Sequence, residues 1–131
     1  MYKMTALNQY QRVDLESKVA MSTPHTLISM LLDGALKKIA LAKGAAARGD
    51  IAQRGNCISS AINIVDSLRA ALDMKAGGEV ANNLEALYTY MERRLAEANR
   101  KSDLGILGEV SDLLHEIKSG WDNMPLAGRG L

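Results

Sequence analysis

A chain of 131 residues is long enough to bury one hydrophobic core without disulfides or a structural metal, so residues 1–131 are expected to form a single domain. The composition is 47% hydrophobic and 24% charged, and a formal net charge of +1 excludes a general attraction to nucleic acid or to an anionic membrane. The single cysteine, Cys57, excludes an intramolecular disulfide and favours a cytoplasmic location. No apolar stretch is long enough for a signal peptide or a membrane span, so membrane insertion is not expected.

The N-terminal segment, residues 1–22, is predicted to contain a short helix around residues 12–21. The first strong helix signal follows at Thr23-Pro24, because threonine caps exposed N–H groups and proline at the first helical position has no N–H to leave unpaired. This helix is expected to run to about Arg48, where Gly49-Asp50 supplies a C-terminal glycine and the N-cap of the next helix. So short a turn predicts an antiparallel helical hairpin.

The second long helix is predicted to continue through Leu72 and to stop at Gly77-Gly78, since glycine tolerates positive φ at a helix end. A third helix is then predicted over residues 79–100. A fourth is predicted to begin at a cap on Ser102 or Asp103 and to end near residues 121–122.

Helical periodicity covers nearly everything after Pro24, and no stretch alternates as a strand does. The fold class is therefore all-α: an antiparallel up-down four-helix bundle over residues 23–122, with the short N-terminal helix in addition. Residues 123–131 are rich in helix breakers and are predicted to form a flexible tail. Gly34, Gly105 and Gly108 fall inside predicted helices, where close contact between helices is the favoured interpretation.

The apolar faces of the four helices differ in width. The third and fourth helices each have one face of about 120°, whereas that of the first covers about 180° and the second is similarly wide. The first face comprises Leu27, Ile28, Leu31, Leu32, Ala35, Leu36, Ile39 and Ala42, widened by Met30 and Leu41. Two interpretations are compatible with each other: the N-terminal segment covers the surplus as a displaceable lid, through Met4, Leu7, Tyr10, Val13 and Leu15, and a partner helix covers it when bound. An uneven core is the third interpretation.

The sequence offers few residues for chemistry. A carboxylate-bridged metal pair needs two Glu-x-x-His motifs, and only Asp112-x-x-His115 comes near one. His25 has no such partner, and the apolar neighbours of Cys57 disfavour a reactive thiolate. Basic and acidic residues alternate on the third helix, with Glu97 and Lys101 predicted to pair at i, i+4. We therefore expect no enzyme activity, no metal and no cofactor.

One pattern goes beyond physical inference. Its residues are Leu72-Asp73, Gly77-Gly78-Glu79-Val80-Ala81-Asn82-Asn83-Leu84, Leu87-Tyr88-Thr89-Tyr90-Met91 and Ala98-Asn99, with Tyr10-Gln11, Met30 to Leu36 and Glu109 to Trp121 in support. This pattern resembles the flagellar secretion chaperone family, FliS, over all but about the last ten residues. One departure is Leu32, where the family usually has an aromatic residue.

The resemblance implies a cytoplasmic chaperone that binds the C-terminal region of flagellin in a hydrophobic groove. It implies that the chaperone prevents premature polymerisation and aids delivery to the flagellar type III export apparatus, without ATP or a cofactor. The partners implied are flagellin and the flagellar export gate. A flagellin tail that folds on the groove would account for the surplus apolar surface.

Candidate binding residues follow from the resemblance and the wide faces together. The groove is expected to use Met30, Leu31, Leu36, Leu41, Ile64, Leu84, Tyr88 and Met91, with Asn83 as a hydrogen-bonding residue. Leu7, Tyr10 and Gln11 are expected to form an N-terminal lid that also contacts the export gate. Two alternatives are a ferritin-like metal enzyme and a structural bundle that forms homodimers through its wide apolar faces.

Overall fold

The computed structural model describes residues 23–124, which fold into four helices: α1 (Pro24–Ala47), α2 (Ile51–Ala70), α3 (Met74–Lys101) and α4 (Leu104–Asp122). The all-α prediction is confirmed. α1 packs on α2 and α4, and α3 also packs on α2 and α4, so each helix has two principal neighbours around the bundle. Predictions made for residues 1–22 and 125–131 lie outside this part of the chain.

The helix starts follow local capping chemistry. Thr23 Oγ1 accepts a hydrogen bond from the Thr26 N–H at 3.1 Å, and Asp50 Oδ1 accepts one from the Gln53 N–H at 3.1 Å. Asp103 caps α4 by accepting from two backbone N–H groups, while Ser102 ends α3 in the left-handed region at φ 54°. The predicted starts of α1, α2 and α4 are therefore confirmed.

The junction of α2 and α3 differs from the prediction. α2 ends at Ala70, and α3 already begins at Met74 because the Asp73 carboxylate accepts hydrogen bonds from the N–H groups of Lys75 and Ala76 at 3.1 and 3.0 Å. Gly78, at φ 50° and ψ −126°, breaks the helical geometry inside α3. Gly78 thus separates a first turn, which Asp73 caps, from the long regular part of α3, which begins at Glu79 as predicted. The predicted end of α2 at Gly77-Gly78 is wrong, because α2 ends at Ala70.

A single apolar core lies between the four helices. Its largest wholly buried side chains are Leu32 and Ile39 of α1, Ile58, Val65 and Leu68 of α2, Met91 and Leu95 of α3, and Leu107, Val110 and Leu114 of α4. Burial of each such side chain contributes roughly 1.5–3 kcal/mol. Cys57 is 3% exposed and joins this core, as a small apolar side chain does. Within residues 23–124, no helix is long and apolar enough to cross a bilayer.

The helical glycines do not share one explanation. A Cβ added at Gly34 would lie 3.5 Å from Ile64 Cδ1, an ordinary van der Waals contact with α2. A Cβ at Gly108 would meet nothing within 4 Å. Close helix contact is therefore the wrong interpretation for Gly108, which has open space beside it.

Replacing Gly108 by alanine should raise the free energy of unfolding by roughly 1 kcal/mol, because alanine restricts the unfolded chain and has room in the helix. The matched change Gly78→Ala should lower it by roughly 1–2 kcal/mol, since an L residue is strained at positive φ. Urea unfolding of both variants measures the difference. Destabilisation by Gly108→Ala would contradict this account of α4.

Candidate functional site

An open apolar cleft lies between α1 and α2 and encloses about 310 Å³. We call it the α1–α2 cleft. Its lining residues are Leu27, Met30, Leu31, Gly34, Lys37 and Lys38 of α1 and Ile64 of α2. The α1 residues recur at three- and four-residue spacing, which places them on one stripe of the helix.

Gly34 gives the cleft its depth. The glycine sits in the middle of the α1 stripe, opposite Ile64, where any larger residue would project a side chain into the space. Leu31 and Ile64 are half-buried and pack against the core, so the floor of the cleft is continuous with the interior of the bundle. The helical hairpin thus presents a concave apolar surface backed by a rigid core.

The structure brings three of the predicted groove residues together, namely Met30, Leu31 and Ile64. Leu36 is partly buried against the core and does not line the cleft. Leu41 is 44% exposed and lies two turns beyond Gly34, which places it on the continuation of the α1 stripe.

The predicted residues of α3 lie elsewhere. Leu84 and Tyr88 line a separate cavity of about 50 Å³ near Trp121, at the end of the bundle where Leu72 also lies. Met91 is wholly buried in the core because the single apolar face of α3 is used for bundle packing. Asn83 is exposed and caps no helix, since Asp73 has that role. These residues do not form one surface with the α1–α2 cleft.

Four lining residues were not predicted as binding residues: Leu27, Gly34, Lys37 and Lys38. Helical spacing could have identified them, because steps of three or four residues from Met30 and Leu31 lead to all four positions, whether the residue there is apolar or charged. Tracing only the apolar residues omitted the glycine and the two lysines.

The opposite side of the bundle carries an ion-pair network between α3 and α4. Arg94 lies 2.8 Å from Glu109 and 2.7 Å from Glu97, and Lys101 Nζ lies 2.7 Å from Glu97, which confirms the predicted Glu97–Lys101 pair. The Tyr90 hydroxyl donates to Glu109 at 3.0 Å. Hydrogen bonding by Arg94 is the main reason that the pKa of Glu109 lies below its ordinary value. This network holds two helices together and has no access to the cleft.

The histidines do not form a metal site. His25 stacks on Trp121 with ring centroids 4.7 Å apart, and the indole N–H of Trp121 donates to the His25 carbonyl at 3.0 Å. His115 is exposed on α4. Among residues 23–124, no group of three or more His, Cys, Asp or Glu side chains is arranged to hold a metal ion.

The fold and the cleft define a class: a four-helix bundle with a concave apolar surface on one helical hairpin. The chain matches the family model "Flagellar protein FliS" over residues 6–127. It is 49% identical over 124 residues to the flagellar secretion chaperone FliSB of Pseudomonas aeruginosa, covering 95% of this chain and 98% of that protein. It is 43% identical over 122 residues to the flagellar secretion chaperone FliS of Salmonella typhimurium, covering 92% and 90%.

The chain therefore belongs to the FliS family, which confirms the resemblance found in the sequence. A third relative, the flagellar secretion chaperone FliS of Vibrio cholerae, is 36% identical over 120 residues, or 92% of this chain and 88% of that protein. Members of this family are chaperones, so the alternative of a ferritin-like metal enzyme is wrong.

The buried phenol of Tyr88 makes a testable difference to stability at high pH. Burial raises the pKa of Tyr88 from its ordinary 10.0 to about 12. Between these two values the unfolded chain ionises while the native phenol stays neutral, so the unfolded state gains stability as the pH rises. The native state should lose roughly 2–3 kcal/mol from this residue by about pH 12.

The comparison with Tyr88→Phe isolates that contribution, because phenylalanine keeps the ring and removes the proton. Chemical unfolding at several pH values should show a smaller alkaline loss of stability for the variant than for the unaltered chain. Parallel curves for the two proteins would mean that the hydroxyl is solvated in the native state.

Proposed function

We propose that this chain is a cytoplasmic export chaperone that binds the C-terminal region of flagellin in the α1–α2 cleft. By covering that region it prevents premature polymerisation and aids delivery of flagellin to the flagellar type III export apparatus. The observation that carries the proposal is the open apolar cleft, with its apolar stripe from Leu27 through Leu31 and with Ile64 opposite.

The cleft suits an amphipathic helix. Apolar residues at i, i+3, i+4 and i+7 on a ligand helix would pack along the matching stripe of α1 and against Ile64. Each square ångström of apolar surface removed from water contributes about 25 cal/mol, so a long interface offsets the entropy lost when a disordered tail folds on the chaperone. Burial of apolar surface is then the main driving force for capture, and no nucleotide or cofactor is required.

Several predicted contacts extend the proposal beyond the cleft. Leu41 lies on the continuation of the α1 stripe, and Leu36, Asn83 and Leu84 would contact flagellin if the bound segment continues around the bundle. Tyr88 and Met91 are buried, so in this proposal they hold α3 in the bundle and do not contact flagellin directly. The assignment of Leu7, Tyr10 and Gln11 to a lid and to the export gate stays a prediction, and those residues lie outside the described part of the chain.

The charge substitution Ile64→Asp should weaken binding of the flagellin C-terminal segment by at least about thirtyfold, because a carboxylate would be desolvated in an apolar interface. Its matched control is Ile51→Asp on the same helix, since Ile51 is 68% exposed and lies away from the cleft. Titration calorimetry with the purified segment measures both affinities, and thermal unfolding shows whether each variant is folded.

A second variant keeps the test valid if Ile64→Asp does not fold. Gly34→Leu fills the cleft with an apolar side chain and should weaken binding in a chain that remains folded. If the unaltered chain fails to bind the flagellin segment, the proposed function is wrong. If it binds and all three variants bind equally well, flagellin is the partner but the cleft is not its site. Self-association that flagellin does not reverse would instead favour the homodimer.

A further inference from the structure

We infer that the α1–α2 cleft imposes a direction on its ligand: the bound segment packs apolar side chains at the Leu27 end and carries an acidic side chain where it reaches Lys37 and Lys38. The inference rests on the proposed function and specifies the chemistry of the partner at the same site. It makes the two lysines specificity-determining residues.

The stripe along α1 has an apolar end and a basic end. Leu27, Met30 and Leu31 occupy its first half, Gly34 its middle, and Lys37 with Lys38 its far end. At 1.5 Å per residue the stripe is about 16 Å long, or roughly three helical turns. A ligand with one apolar end and one acidic end therefore fits in a single orientation.

Two lysines on other helices of the bundle form ion pairs, whereas Lys37 and Lys38 form none within the described part of the chain. Lys101 pairs with Glu97 at 2.7 Å, and Lys118 pairs with Asp122 at 2.6 Å. In contrast, neither Lys37 nor Lys38 forms an ion pair or a side-chain hydrogen bond within residues 23–124.

No carboxylate from the bundle neutralises this end of the cleft. Asp33, the one acidic residue of α1, has its carboxylate 3.5 Å from Lys118 of α4 and does not line the cleft. Lys38 is half-buried, so an ion pair formed there is screened less than one between fully exposed groups. The ammonium groups are thus available to an incoming carboxylate.

The distribution of charge over the helices extends this local pattern. α1 and α2 together carry five basic and two acidic residues, whereas α4 carries one basic and four acidic residues. The net charge of +1 for the whole chain conceals this separation. An acidic segment is attracted to the hairpin that forms the cleft and repelled from α4, which favours approach on the correct side. The apolar walls favour a protein segment over a nucleic acid.

Zero-length carbodiimide coupling tests the contact directly, because it adds no spacer and so joins an amine to a carboxylate only where the two groups come into direct contact. The full chaperone is mixed with the flagellin C-terminal segment, coupled, digested and analysed by mass spectrometry. We expect peptides that join Lys37 or Lys38 to one Asp or Glu of the segment, with apolar residues on one side of that acid. Coupling of these lysines only to a second chaperone copy, or no coupling at all, would overturn the inference.

A pair of double variants supplies the energetic test. Lys37→Gln with Lys38→Gln should weaken binding about tenfold at low salt, and the difference should largely disappear near 0.5 M NaCl. The control, Lys43→Gln with Lys75→Gln, removes the same charge at lysines outside the cleft and should change affinity less than about twofold.

The possible failures are distinguishable. Failure of the unaltered chain to bind the flagellin segment would refute the proposed function itself. Binding that is intact in both double variants, and equally insensitive to salt, would leave flagellin as the partner and refute the acidic contact. If the two double variants bind the segment equally weakly, the lysines act only through the overall charge of the chain, and this result would also refute the acidic contact.

Discussion

The four helices must bury one stripe each in a shared core, and this packing decides which apolar residues remain outside it. α3 and α4 have a single apolar face and use it against the core, through side chains such as Leu95 and Leu114. The face of α1 is wider than the core requires. Leu32, Ala35 and Ile39 turn inward, and the adjoining stripe from Leu27 to Gly34 is left beside α2 as an open cleft. The candidate site is therefore a direct consequence of how the bundle is closed.

The segment that carries the family resemblance is mainly structural. Gly78 provides a positive-φ kink, Tyr88 and Met91 fill the core, and Tyr90 bonds to Glu109 of α4. Asn99 accepts a hydrogen bond from Arg54 through its side chain at 3.4 Å and another through its carbonyl at 3.2 Å, which ties the end of α3 to the start of α2. These residues hold the far helices in place so that the hairpin of α1 and α2 can present its cleft.

Local signals predicted the fold well, and the site only in part. Thr23 and Asp50 act within three residues of their own positions, so their caps could be read from sequence. At the α2–α3 junction the break at Gly78 was predicted, but the end of α2 at Ala70 and the short turn capped by Asp73 were not, because Asp73 acts as a cap only once α2 has ended before it. The width of the α1 face was visible, but which half of it faces the core depends on packing against α2 and α4. For that reason Met30 and Ile64, which line the cleft, were among the predicted binding residues, whereas Gly34 and the two lysines that also line it were not.

The central claim is that the surplus apolar surface of α1 binds flagellin. The most direct test is to titrate isotope-labelled chaperone with the flagellin C-terminal segment and to follow the amide chemical shifts. The account predicts that the largest shifts follow α1 from residue 27 to residue 41 and the part of α2 around Ile64, while the exposed face of α4 near His115 is unchanged. Shifts concentrated on α4 or at the outer ends of α3, with none along the α1 stripe, would contradict it.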